Sequence, residues 1–136
     1  MKVVINSCYG GFGLSPLAVM EYLKRKGKEC HFYSDGLSKK YKRVEDIADI
    51  GGVFFSVSTK DVGKSTTWED IKPYYFSYYD IDRTDEDLIA VVENLGEKAD
   101  GSCARLSVVE IPDGIEWEIS EYDGVETVEE KHRKWY

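Results

Sequence analysis

A chain of 136 residues with 42% hydrophobic content is long enough to bury a core without staples, and it reads as a single domain over 1–136. The net charge of −8 argues against long nucleic acid as a partner, since that affinity comes largely from neutralised phosphates. No stretch approaches the roughly 20 apolar residues of a membrane span and the start lacks a signal-peptide pattern, so no membrane contact and a cytoplasmic location are expected.

Val3, Val4 and Ile5 form a short β-branched run suited to a buried strand, and Leu17, Met20, Tyr22 and Leu23 then recur at helical spacing. Ser15 ahead of Pro16 predicts an N-cap, and Lys24, Arg25, Lys26 and Gly27 predict an end, which places a helix over 16–26. Gly10, Gly11 and Gly13 stand between strand and helix. Glycine loses the most conformational freedom on folding, so this density implies positive φ angles or something pressed against the backbone. A helix N-terminus favours anions, which makes phosphate the expected occupant. A tight turn without a ligand would use the same residues. The stretch has neither the Lys and Ser/Thr pair of a Walker loop nor the acidic residue of the dinucleotide fingerprint.

Further on, residues 29–34 alternate like a strand, 34–43 read as a polar loop, and 53–58 form an apolar strand after the turn pair Gly51 and Gly52. Residues 59–70 have loop composition, and 74–80, which follow Pro73, are dense in aromatic residues of high β propensity. A second helix is predicted over 85–95, capped by Thr84, striped by Leu88, Val91, Val92 and Leu95, and stopped by Gly96. Residues 104–111 and 115–123 read as a hairpin about Pro112, Asp113 and Gly114, with Trp117 and Ile119 on one face and Glu116 and Glu118 on the other; an extended stretch follows Gly124. One strand–helix–strand unit followed by hairpins predicts an α+β fold with a mixed, largely antiparallel sheet and two principal helices. Two helices leave aromatic surface uncovered, which predicts a two-fold dimer. Charge is uneven: 24–46 carry eight Lys/Arg against four acids, and 110–136 carry nine acids against three bases. Such asymmetry suits self-association, although a solvated surface is the plainer reading of each run.

No catalytic set emerges. The only histidines are His31 and His132, neither in a recognised spacing, and the acids at 85 and 87 suit a helix start. Cys8, Cys30 and Cys103 are scattered and lack metal-site spacing, so reduced thiols and no metal or cofactor are expected. The chain reads as a binder, and its parts suit a small nucleotide. Gly10, Gly11, Gly13 and Ser15 would offer donors to a pyrophosphate, Phe12 or one of Tyr74 and Tyr78 would stack the adenine, and Arg83 would neutralise charge. Arg83 has an alternative use as a bridge to Asp80, Asp82 or Asp85, and the tyrosines as core and rim of a strand.

Three segments, INSCYGGFGLS at 5–15, the long run from Arg83 to Gly124 and EKHRKWY at 130–136, resemble the phage-encoded Thoeris anti-defence sponge proteins, the first family described under that name. Residues 34–72 carry no such match. The resemblance implies a non-enzymatic sponge, acting in the cytoplasm of the infected bacterial host, that sequesters a glycocyclic ADP-ribose isomer made by a TIR-domain protein. It also implies a homodimer with the signal at the protomer boundary, with assembly to hexamers and separate sites for cyclic di- or trinucleotides in some members. Arg105 is the candidate for such a second site. The competing readings are a nucleotide hydrolase or transferase holding substrate phosphate on the glycine loop, and an adaptor that uses the tyrosine strand as an interface.

Overall fold

β-Branched and aromatic runs supply most of the strands, and the two amphipathic stretches supply the main helices. The computed structural model describes residues 1–35, 40–50 and 55–131. In chain order they form β1 (Lys2–Asn6), α1 (Pro16–Arg25), β2 (His31–Asp35), β3 (Lys40–Val44), β4 (Phe55–Ser58), β5 (Ser65–Thr67), α2 (Trp68–Ile71), β6 (Tyr75–Phe76), α3 (Glu86–Leu95), β7 (Leu106–Glu110), β8 (Trp117–Tyr122) and β9 (Val125–Glu130). Short 3-10 turns connect several of them. The fold is α+β, and the strand pairings among the described residues are antiparallel. Contacts divide the chain into two compact units, one of 1–18 with 81–136 and one of 19–80, the division falling inside α1.

In the first unit β1 pairs with β7, from Lys2 opposite Glu110 to Asn6 opposite Leu106. Val3, Val4, Ile5 and Asn6 are all buried, so both faces of β1 are covered; α3 and β9 both pack against it. Asp85 caps α3 by accepting from the Asp87 and Leu88 amides, and Leu88, Val91 and Val92 form its buried face. Thr84, the cap expected from sequence, is instead drawn into a turn by Asp82, whose Oδ1 accepts from both its amide and its hydroxyl. β8 and β9 form a hairpin in which Tyr122 faces Val125 across a two-residue loop, Asp123 and Gly124, both at positive φ. That is the Asp-Gly hairpin signal. The hairpin expected about 112–114 is therefore displaced: β7 turns away to pair with β1, and β8 pairs onward.

In the second unit the sheet order is β5-β3-β2-β4-β6. β1 and β2 thus belong to different sheets, and the expected strand–helix–strand unit is not formed. Val19, Tyr22 and Leu23 of α1 are buried, and Tyr22 stacks on Phe76 at 5.9 Å. β3, β5 and α2 occupy stretches that composition assigned to loops; along β3 and β5 exposed residues alternate with half-buried or buried ones. The aromatic run at 74–80 yields only the two-residue β6. Pro73 lies in a 3-10 turn before it, and the Ser77 hydroxyl accepts from the Tyr79 amide, starting a second such turn after it. The turn pair Gly51 and Gly52 and the C-terminal His132 lie outside the described residues.

Candidate functional site

The segment between β1 and α1 is held from below by Asn6. Its side chain is fully buried and its hydrogen-bonding capacity is filled: Nδ2 donates to the carbonyls of Cys8 and Gly124, and Oδ1 accepts from the amides of Cys8 and Arg105. One amide thereby gathers the loop start, the tip of the β8–β9 hairpin and the approach to β7. A flipped amide would set donors against donors, so this orientation follows from the partners themselves.

Two further segments then press on the glycines. A side chain at Gly10, where φ is +114, would meet Cys103 Cβ at 2.6 Å. A Cβ at Gly124 would lie 2.5 Å from the Gly11 nitrogen and 2.8 Å from that of Gly10. A Cβ at Gly101 would lie 2.8 Å from the Gly13 carbonyl carbon, and the Gly101 amide donates to the Gly13 carbonyl at 3.0 Å. What crowds the inner side of this backbone is therefore the chain itself. Gly11 differs: at φ +94 its missing Cβ would meet nothing within 4 Å.

The start of α1 offers few donors. Pro16 has no N–H, and the Ala18 amide donates to the Ser15 hydroxyl, which itself donates to the Lys98 carbonyl at 2.6 Å. The Ser15 amide donates to the Ala99 carbonyl. Ser15 is thus the N-cap that the sequence announced, with its hydroxyl engaged twice.

Phe12 is buried, and the Arg83 guanidinium lies over its ring, 3.6 Å from the centroid. Arg83 makes a bidentate pair with Glu126, at 2.7 and 2.9 Å, and also donates to the Val4 carbonyl. Glu126 accepts the Asn6 backbone amide as well. Among the described residues no buried side-chain nitrogen or oxygen lacks a partner, so the network closes. Its acid is neither Asp80, Asp82 nor Asp85 but a residue 43 positions away, which local spacing does not point to.

The outer side of the same segment is open. Tyr9 is 66% exposed, Ser7, Gly10, Ser102 and Cys103 are exposed, and so is Arg105, whose guanidinium has no ion-pair partner among the described residues. Because Cys8 and Arg105 donate to one oxygen of Asn6, Tyr9 and Arg105 rise from adjacent backbone. Gly10, Gly11, Phe12, Gly13, Ser15, Arg83 and Arg105 all lie in the first unit; Tyr74 and Tyr78 lie in the second. There the Lys60 ammonium sits 5.0 Å over the Tyr74 ring, and Tyr78 packs on Tyr79 with centroids 4.7 Å apart. Burial, with help from the hydrogen bond to Tyr79, pushes the Tyr78 phenol up to about 12. Asn6, Glu126, Gly101, Gly124 and Tyr9 were not singled out by sequence; only the Asp-Gly pair at 123–124 carried a readable signal.

Among the described residues no group of three or more His, Cys, Asp or Glu is placed to hold a metal ion, and no helix is long and apolar enough to cross a membrane. No protein-family model matches the chain, and no curated protein or solved structure matches it significantly.

Proposed function

We propose that the protein binds a cyclic ADP-ribose-type signalling nucleotide without converting it, and so lowers the free concentration of the signal. The ligand class comes from the resemblance of 5–15, 83–124 and 130–136 to the anti-defence sponge proteins. The observation that carries the location is that Tyr9 and Arg105 are exposed, Arg105 without an ion-pair partner among the described residues, and that the space at the missing Cβ of Gly11 on the outer face is open. Tyr9 provides a ring for a base, Arg105 a fork for a phosphate, and Gly11 a backbone that a ligand can approach closely. Phe12 and Arg83 contribute from beneath, by fixing the segment, since each already stacks on the other.

A nanomolar hold corresponds to about −12 kcal/mol. One stacked base gives about 1–3 kcal/mol and one charge-assisted hydrogen bond about 1.5–3 kcal/mol. The shortfall is large, so a second chain closes over the nucleotide and the working form is a homodimer or a higher assembly of dimers. Thermal-shift titration with cyclic ADP-ribose isomers should raise the melting temperature in step with ligand concentration. Heating the loaded protein should return the nucleotide intact. Arg105→Ala should weaken binding about tenfold or more and leave the unliganded melting temperature unchanged. No shift with any isomer would refute the reading, and recovery of a hydrolysed product would make the protein an enzyme.

A further inference from the structure

We infer that Glu126 is a positioning residue that clamps both ends of the 8–12 segment, so that one buried carboxylate sets the conformation of the outer face. Its Oε1 accepts the Asn6 backbone amide at 2.8 Å, and the Asn6 side chain in turn holds both the amide and the carbonyl of Cys8. Both of its oxygens also grip Arg83, whose guanidinium lies over the Phe12 ring, 3.6 Å from its centroid. Cys8 and Phe12, four residues apart, are therefore referred to the same carboxylate through two separate paths. Between them stand Tyr9, Gly10 and Gly11, and the two glycines at φ +114 and +94 give the segment more conformational freedom than any other residue pair would.

Glu126 sits on β9, just beyond the hairpin tip whose Gly124 covers the amides of Gly10 and Gly11. Its residue is only 7% exposed, so the pair it makes with Arg83 is shielded from solvent and from screening by salt. Asn6 acts on one end and Phe12 on the other, which makes the two paths separable. The consequence for ligand affinity rests on the function proposed above; the clamp itself does not.

Amide hydrogen exchange on the full chain tests it. Glu126→Gln should speed exchange at the hydrogen-bonded Cys8 and Arg105 amides by tenfold or more and shift the backbone resonance at Phe12, while β2, β4 and the buried turns of α3 keep their rates. Asn6→Ala should loosen the Cys8 and Arg105 amides together with the Gly124 tip and spare the Phe12 end, and Phe12→Leu should act on the Phe12 end alone. If Glu126→Gln does not fold, Arg83→Lys, which keeps the charge and loses the planar fork, should give the same two-ended pattern. Unchanged exchange at Cys8 and Arg105, an unmoved Phe12 resonance, or an equal acceleration in every segment, would overturn the clamp. In a second arm Glu126→Gln should weaken the nucleotide tested above; a wild-type protein that binds none of the isomers would remove that reading, and the exchange pattern would still decide this one.

Discussion

Three glycine-to-alanine substitutions separate the two reasons a glycine can be required. Gly114 has φ +82 and open space around its missing Cβ, so alanine there meets only the cost of a left-handed backbone. That cost is about 1–2 kcal/mol. Gly101 is outside the left-handed region but its Cβ would lie 2.8 Å from the Gly13 carbonyl carbon, so alanine there meets only a steric cost. Overpacking of this kind costs about 1–3 kcal/mol. Gly124 combines both, with φ +88 and a Cβ at 2.5 Å from the Gly11 nitrogen. The obstructing atoms are backbone, which cannot rotate aside. Gly124→Ala should therefore lose about 2–5 kcal/mol, the sum of the two terms, out of the 5–15 kcal/mol typical of a folded domain. Urea unfolding of the three variants, at unchanged m-value, gives the numbers directly. Should Gly124→Ala cost no more than Gly114→Ala, the hairpin tip does not lie on the glycine segment, and the account of that segment's inner side fails.

Removing the acid from the buried pair should be the most damaging single change of charge. Glu126→Ala leaves Arg83 largely buried without its partner and should cost about 3–5 kcal/mol, whereas Arg83→Met with Glu126→Leu should recover only part of that in a urea titration, because the buried Asn6 amide loses its acceptor as well; a loss under about 1 kcal/mol for the single variant would mean the pair is wet. Burial pushes the Cys30 thiol from its ordinary 9.0 up to about 12. At pH 8 a thiol reagent should therefore label exposed Cys103 well before Cys30 in the folded protein. Because the unfolded chain gives up the Cys30 proton first as pH rises, this contribution to stability is complete below pH 9 and is lost as pH climbs toward 12. Cys30→Val should flatten that part of the pH profile, and an unchanged slope would contradict the burial.

Local signals survived well. Ser15 before Pro16 caps α1, and the stripe of Leu88, Val91 and Val92 faces inward on α3, because caps and helical periodicity depend on neighbours within a turn or so. Pairing partners were less legible. A run such as Leu106–Glu110 says that it is extended but not which strand it meets, and β7 meets β1 across most of the chain rather than its neighbour β8. The Asp-Gly pair at 123–124 was a better hairpin signal than Pro112-Asp113-Gly114, since a two-residue loop with both φ angles positive matches the twist of its strands. The aromatic stretch at 74–80 shows the limit of β propensity, which is outweighed where a proline and a serine hydroxyl favour 3-10 turns on either side. In the candidate site, the glycines were visible as a demand for space. Glu126 was invisible, since an acid in an acid-rich tail carries no mark that it will be buried against an arginine 43 residues earlier.

The glycines at 10, 11 and 13 posed one question with two answers, and the two sides of the segment supply one each. On the inner side a Cβ at Gly101 would strike Gly13 and one at Gly124 would strike Gly11, a crowding made by the chain itself, and of the three glycines Gly10 is closed to a side chain by Cys103. The start of α1 is likewise engaged: Pro16 lacks a donor and the Ser15 hydroxyl holds both Ala18 and Lys98, so a phosphate there would have to displace contacts the fold already makes. A ligand reading can therefore stand only on the outer side, where Gly11 is uncrowded and Tyr9 and Arg105 are exposed. That relocation changes which substitutions are informative. Arg83→Ala would lower stability by stranding Glu126, so any loss of binding in that variant would report on folding as much as on contact. Arg105→Ala removes a side chain with no ion-pair partner among the described residues and leaves its backbone hydrogen bonds, to Asn6 and Ser7, in place. Binding lost there, with stability kept, can only come from the outer face.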